Sequence, residues 1–211
     1  MMKKIIGITL ILGWSLFSCQ TQQKLVVDNI GQYTQSHQRV AILPFKVTFS
    51  EAYKNMSLRG KRQGDWKEQE RVAGLDLQKS AFSMLSKRAN KKNYGITVQD
   101  FLTTNKILQS ENIRFSELAA AGKGQLARIL GVDAVIWGET DMQMDPAGWR
   151  NRNGISTTMA LFDAKTEQKL WQQSSFADAM RRFDTPQSLS ENTVNNLINA
   201  LPYKKRESRE D

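Results

Sequence analysis

The sequence contains very few of the side chains on which most catalytic and metal sites depend. Its 211 residues include one cysteine, Cys19, and one histidine, His37. A single cysteine excludes an internal disulfide, and a single histidine with no neighbouring cysteine or acidic cluster is a poor metal ligand set. The common nucleophile–base pairs are nearly excluded, and no P-loop, G-x-S-x-G or H-E-x-x-H motif is present. We therefore expect no enzyme, no metal and no cofactor.

Glu139 and Asp141 are the carboxylates best placed for acid–base chemistry. They lie two residues apart on a predicted strand, so both side chains share one face. Such a pair serves acid–base catalysis or holds a cation, but two acids at the end of a strand are more often simply solvated. We expect no catalytic role for either.

The first nineteen residues have the pattern of an export signal. Lys3 and Lys4 precede an apolar run over residues 5–17, which has signal-peptide length and is short for a membrane span. The run ends in Leu-Phe-Ser-Cys, which resembles a bacterial lipobox. The resemblance implies removal of residues 1–18 and attachment of lipid to Cys19. An ordinary secretory signal or an uncleaved anchor remains as an alternative.

The residue after the cysteine and the net charge indicate where the mature chain lies. Gln20 rather than Asp follows Cys19, which by resemblance to known lipoprotein sorting favours the periplasmic face of the outer membrane. Removal of residues 1–18 lowers the formal net charge from +9 to +7, because Lys3 and Lys4 are lost and no acid is. In an exported lipoprotein this charge favours an anionic lipid or envelope polymer over nucleic acid, unless it is only a solvated surface.

Residues 125–141 predict the centre of the fold. A helix with an apolar face ends at Gly131, which can adopt the left-handed conformation that closes a helix. Residues 134–137 are apolar in succession, which is typical of a strand covered on both faces. We expect Ile136 and Trp137 to be buried on opposite faces of this strand.

The rest of the chain predicts one α/β (α+β) domain over residues 38–202. A strand at residues 39–49 is interrupted by Pro44, which lacks a backbone donor. The expected order is β-α-β-α-α-α-β-β-β-α, with a mixed sheet of about five strands and helices on both faces. Residues 19–37 are predicted to form a lipidated tether with at most one short docking strand, spanning up to about 60 Å. Residues 203–211 are predicted to be a charged, flexible tail.

Several stretches resemble the signatures of a bacterial envelope superfamily. They are RVAILPF from Arg39, the helix that follows it, LGVDAVIWGE from Leu130, and LFDAKTEQKLW from Leu161. The superfamily includes the amino-terminal domain of TolB, the curli-secretion lipoprotein CsgG and the penicillin-binding-protein activator LpoB. The resemblance implies a mixed sheet with helices on both sides. Glu167 departs from it, because glycine is common at that position of the hairpin turn.

The predicted function is that of a non-enzymatic accessory module for envelope assembly or export. The alternative is an oligomeric outer-membrane secretion pore, which needs membrane-crossing strands of about 9–11 residues. The two long loops argue against the pore, because residues 50–66 are too polar and residues 143–153 are too few. The partner is predicted to be an envelope protein or an anionic envelope polymer, and a homo-oligomer remains open.

The predicted contact surface is basic and aromatic. It comprises Arg59, Lys61, Arg62 and Trp66 from the first loop, and Trp149, Arg150 and Arg152 from the second. Solvated loops, or a Trp149 folded back on the sheet, are the alternatives.

Cys19→Ser tests the anchor. The substitution removes the sulfur that would carry the lipid, so we expect maturation to stop and palmitate labelling to be lost. Palmitate labelling that survives the substitution would contradict the assignment.

Overall fold

The computed structural model describes residues 24–57, 65–143, 154–178 and 184–205. In these ranges the strands are β1 (Lys24–Val26), β2 (Arg39–Ile42), β3 (Lys46–Phe49), β4 (Thr97–Val98), β5 (Ala134–Gln143), β6 (Gly154–Asp163) and β7 (Lys169–Asp178). The helices are α1 (Ile30–Ser36), α2 (Glu51–Ser57), α3 (Trp66–Lys92), α4 (Phe101–Ser110), α5 (Lys123–Ile129) and α6 (Pro186–Ala200), with a 3-10 turn at Phe115–Glu117. None of these helices is long and apolar enough to cross a membrane.

The described strands form one mixed, open sheet. Its order is β1-β7-β6-β5-β2-β4, with β3 also paired to β5. β5 is antiparallel to β6 and parallel to β2 and β3. The predicted mixed α/β fold is therefore confirmed, although the sheet has seven strands rather than about five. The two extra strands are β1 and the second half of the strand that Pro44 divides.

Pro44 interrupts the first core strand as predicted. β2 ends at Ile42 and β3 begins at Lys46, and both pair with the same strand, β5. Between them the Leu43 N–H donates to the Ile136 carbonyl at 2.9 Å, whereas the Phe45 N–H donates to the Gly74 carbonyl of α3 at 3.2 Å. A proline has no N–H to place in the ladder, and the chain uses this break to contact the helix.

Helices cover both faces of the sheet, as expected. On one face α3 and α6 pack over Ile136, together with Leu85 and Leu197. On the other face α4, the 3-10 turn and α5 pack over Val135, together with Leu126. The order of elements from β2 onward also follows the predicted order, if β2 and β3 are counted as one strand and α2 and α3 as one helical segment.

The buried face of α3 differs from the apolar pattern in the sequence. The apolar Val72 is 43% exposed, whereas Gly74 and the polar Gln78 are buried. A Cβ at Gly74 would overlap the carbonyl oxygen of Phe45, so only glycine lets the strand approach this closely. Gln78 Nε2 donates to the Ile42 carbonyl at 2.8 Å, which compensates for burying its amide.

The segment before residue 38 is folded rather than extended. β1 is antiparallel to β7, with Lys24 opposite Gln173, which confirms the docking strand. The prediction of a tether does not extend to residues 30–36, because these form α1. At the other terminus Tyr203, assigned to the flexible tail, is buried. The loop predicted at residues 50–66 likewise begins with a helix, α2.

Gly74→Ala tests the contact between α3 and the divided strand. We expect a loss of about 1–3 kcal/mol in the free energy of unfolding, because the new Cβ would displace the Phe45 backbone. Gly31→Ala in α1 is the matched control, since a Cβ there meets nothing within 4 Å. Urea denaturation measures both variants, and equal stability of the two would contradict the packing.

Candidate functional site

Most residues of the predicted contact surface lie outside the described part of the chain. Cys19 lies before Lys24, the first described residue. Arg59, Lys61 and Arg62 lie in residues 58–64, which are also outside the described ranges. Trp149, Arg150 and Arg152 lie in residues 144–153. The exception is Trp66, which is the first residue of α3. Its ring is half-buried and packs edge-on against Phe49, with 6.2 Å between the ring centroids.

The described residues that flank the two basic segments are close together. Phe49, against which Trp66 packs, is the register partner of Met142 near the end of β5. Gln143 at the end of β5 is opposite Gly154 at the start of β6. Both segments therefore leave from the same end of the sheet, a relation that the sequence alone could not establish.

A third basic segment is attached to the same end. Asp178, the last residue of β7, is the register partner of Gly154. The next residues, 179–183, contain Arg181 and Arg182 and no acid. They lie outside the described residues, but the position of Asp178 fixes where the segment starts. This relation could not be predicted from the sequence, because it depends on the pairing of β6 with β7.

A groove lies beside this end of the sheet, between α3, α4 and the 3-10 turn. Its wider part, of about 550 Å³, lies between Arg71 on α3 and Asn105 on α4. Its narrower part, of about 240 Å³, is bounded by β3 and by the first turn of α3, which contributes Lys67. Pro44, Phe115 and Leu118 line both parts, so the two are adjacent. The lining of the groove thus combines these apolar side chains with the cations Arg71 and Lys67 and one acid, Glu70.

Trp137 lies in the narrower part of the groove, below Lys123. It is half-buried rather than buried as predicted, whereas Ile136 on the opposite face is completely buried. The Lys123 ammonium is 4.1 Å from the centre of the indole and donates to the carbonyls of Ala119 and Ala121. Trp137 Nε1 is buried and has no hydrogen-bond partner among the described residues.

Burial and charge act on Lys123 in opposite directions. Removal from water lowers the pKa of its ammonium, and the nearby Glu139 carboxylate partly offsets this effect. Glu139 itself pairs with Lys46 of β3, with 3.6 Å between Nζ and Oε1. Glu139 is therefore ion-paired, whereas Asp141 on the same strand is an exposed side chain.

His37, predicted to lie at the end of a tether, is buried in a polar cluster. Its Nε2 is 3.0 Å from Asp163 Oδ1, and its Nδ1 is 3.0 Å from the Tyr203 hydroxyl. An ionised carboxylate only accepts hydrogen bonds, so Nε2 carries a proton. The cluster joins the end of α1, the β6–β7 turn and the C-terminal segment, and so closes the fold around its two termini.

The environment shifts the pKa values of both partners of His37. Burial alone would raise the pKa of Asp163, but hydrogen bonds from the Thr166 backbone, from His37 and from the Thr166 hydroxyl outweigh it and lower the pKa. Burial, with the charges of Asp133 and Asp163, raises the pKa of Tyr203. Within the described ranges no group of three histidine, cysteine or acidic side chains is arranged to hold a metal ion.

No protein-family model matches the sequence, and no curated protein matches it either. Among solved structures, the PelC dodecamer from Paraburkholderia phytofirmans is similar at 11% identity and a TM-score of 0.46, covering 86% of this chain and 98% of that one. Lipoprotein GNA1162 from Neisseria meningitidis is similar at 14% identity and a TM-score of 0.44, covering 77% and 96%.

The LpoB C-terminal domain from Salmonella enterica is similar at 12% identity and a TM-score of 0.37, covering 70% of this chain and 91% of that one. A bacterial lipoprotein is thus among the structures similar to this chain. Likeness at these TM-scores carries no information about function, and membership of the TolB, CsgG and LpoB superfamily stays a prediction.

Asp163→Asn tests the cluster around His37. At pH 7 we expect a loss of about 1–3 kcal/mol in the free energy of unfolding. Because folding lowers the pKa of Asp163, its carboxylate stabilises the fold above about pH 4 and loses this effect as the pH falls further. The difference in the free energy of unfolding between wild type and Asp163→Asn should therefore be smaller at pH 3 than at pH 7. Urea denaturation at pH 7 and pH 3 measures it.

Asp141→Asn is the control for this experiment, because Asp141 is an exposed side chain on the same sheet. Its free energy of unfolding should stay within about 0.5 kcal/mol of wild type. A loss in Asp163→Asn no larger than in Asp141→Asn would show that the cluster does not stabilise the fold.

Proposed function

We propose that the chain is a lipid-anchored, non-enzymatic binding module at the periplasmic face of the bacterial outer membrane. Cys19 carries the lipid, and the folded domain contacts a partner that takes part in envelope assembly or export. The partner surface comprises the three basic segments, residues 58–64, 144–153 and 179–183, together with the groove beside them.

One observation carries this proposal, namely that the described flanks of the three segments meet at one end of the sheet. Phe49, Met142, Gly154 and Asp178 are linked through neighbouring strands. The segments together contain seven arginine and lysine residues and a single acid, Asp145.

The groove supports the same location for the partner. Thr48 and Lys67 line its narrower part. Thr48 is the register partner of Asp141, close to the end of β5 where the second segment begins, and Lys67 lies two residues after Asp65, which follows the first segment. A partner with an acidic group and an apolar side chain fits this arrangement, because the cations attract the acid while Phe115 and Pro44 offer apolar area. An envelope protein or an anionic envelope polymer supplies such groups.

The folded N-terminal segment limits how far the module reaches. Lys24 is five positions after Cys19, and this stretch spans at most about 18 Å. A tether of residues 19–37 would have reached about 60 Å. The module is therefore held at the membrane surface, and its partner must come to that surface.

Crosslinking in living cells tests this function. A variant in which Arg59, Lys61, Arg62, Arg150 and Arg152 are replaced by serine should lose the partner that co-purifies with wild type after crosslinking. Electrostatic attraction governs association with a charged partner. We therefore expect a raised salt concentration in a lysate to release the partner from the wild-type protein as well.

Three lysines at the far end of α3 provide the control. Lys87, Lys91 and Lys92 are exposed, and Lys91 lies about 37 Å along the helix from Trp66. Their replacement by serine removes cations without touching the proposed surface, so the crosslinked partner should be retained. If the arginine variant kept the crosslinked partner and the lysine variant lost it, the proposed location of the partner surface would be wrong.

A further inference from the structure

Exposed apolar side chains are concentrated at one edge of the sheet. Among the described residues six large apolar side chains are exposed, and three of them belong to β1 and β7. Leu25 is 44% exposed, Val26 43% and Phe176 38%. The other three lie one each on α3, α4 and α5, and single exposed apolar residues need no explanation. The three exposed apolar side chains near the β1 edge form a group, and a group of this kind does need an explanation.

The register shows how these side chains are arranged. Leu25 is opposite Gln172, and Phe176 is four residues further along β7, so both lie on the same face of the sheet. Val26 faces the other side of β1. Since β1 is the outermost strand, apolar side chains flank the edge on both faces, next to the exposed ammonium of Lys24. One lysine is little protection for an open strand edge.

The position of the anchor indicates what covers this edge. β1 begins five residues after Cys19, so a lipid on Cys19 lies within about 18 Å of Lys24. The opposite edge of the sheet, β4, is five strand spacings away, which is about 24 Å. The anchored lipid can therefore reach the edge that carries the exposed apolar side chains, whereas the stretch before Lys24 is too short to reach β4.

We propose that the β1–β7 edge lies against the membrane–water interface, with Leu25, Val26 and Phe176 at the boundary between headgroups and acyl chains. Lys24 pairs there with lipid phosphates, as long cationic side chains do at interfaces. This inference rests on the proposed lipid attachment at Cys19. It orients the module, because α4 and the wider part of the groove then face the periplasm.

Fluorescent labels at single cysteines test the orientation in the acylated, full-length mature protein. The sulfur of Cys19 carries the lipid, so a cysteine introduced elsewhere is the one free thiol. Leu25→Cys and Phe176→Cys place an environment-sensitive label on the proposed interface. Leu102→Cys on α4 is the matched control, because Leu102 is 65% exposed and α4 packs against β2, near the opposite edge of the sheet. Each protein is reconstituted into vesicles of phosphatidylethanolamine and phosphatidylglycerol, with and without nitroxide-labelled lipid.

We expect the labels at positions 25 and 176 to emit at shorter wavelength and to lose most of their fluorescence to the nitroxide, while the label at position 102 does neither. Equal quenching at all three positions would overturn the orientation. A shift to shorter wavelength at position 25 without quenching would also overturn it, since a protein rather than lipid would then cover the edge. Mass spectrometry of each preparation checks acylation separately, so absence of acyl chains would count against the proposed anchor and not against the edge.

Discussion

The close contact between Phe45 and two glycines is the constraint on which the rest of the structure depends. The Phe45 carbonyl lies against Gly74 of α3, and its ring lies against Gly138 of β5, where a Cβ would overlap it. Pro44 makes this possible, because it ends the pairing of β2 and lets the next residue turn toward the helix. The longest helix is thereby fixed to the central strand, and the groove beside Pro44 takes its shape from the same contact.

The N-terminal segment connects the fold to its proposed place in the cell. β1 joins the sheet through β7, the Val27 N–H donates to the Leu170 carbonyl, and His37 is held by Asp163 and Tyr203. Because of these contacts, most of the predicted tether, from Lys24 to His37, is part of the folded domain. If Cys19 carries a lipid as proposed, only the short stretch before Lys24 is left to act as a linker.

The sequence predicted those parts of the fold that depend on local pattern. The strand at residues 134–137, the division at Pro44 and the closing Gly131, whose φ is 66°, all follow from periodicity and backbone chemistry. α1 could not be predicted, because its short polar sequence has no apolar stripe and its position depends on packing by Ile30 and Tyr33. His37 was missed because its partners lie 126 and 166 residues away in the chain. The convergence of the basic segments likewise depends on strand pairing that no local pattern encodes.

Hydrogen exchange over residues 24–37 tests the central claim most directly, because the claim requires this segment to be folded on the sheet rather than to serve as a tether. In the acylated protein, the amide of Val27 should exchange as slowly as amides of β7, since its N–H donates to Leu170. Amides of α1 should also be protected. Exchange over residues 24–37 at the rate of an unstructured chain would contradict the account, and the domain would then hang from a long tether.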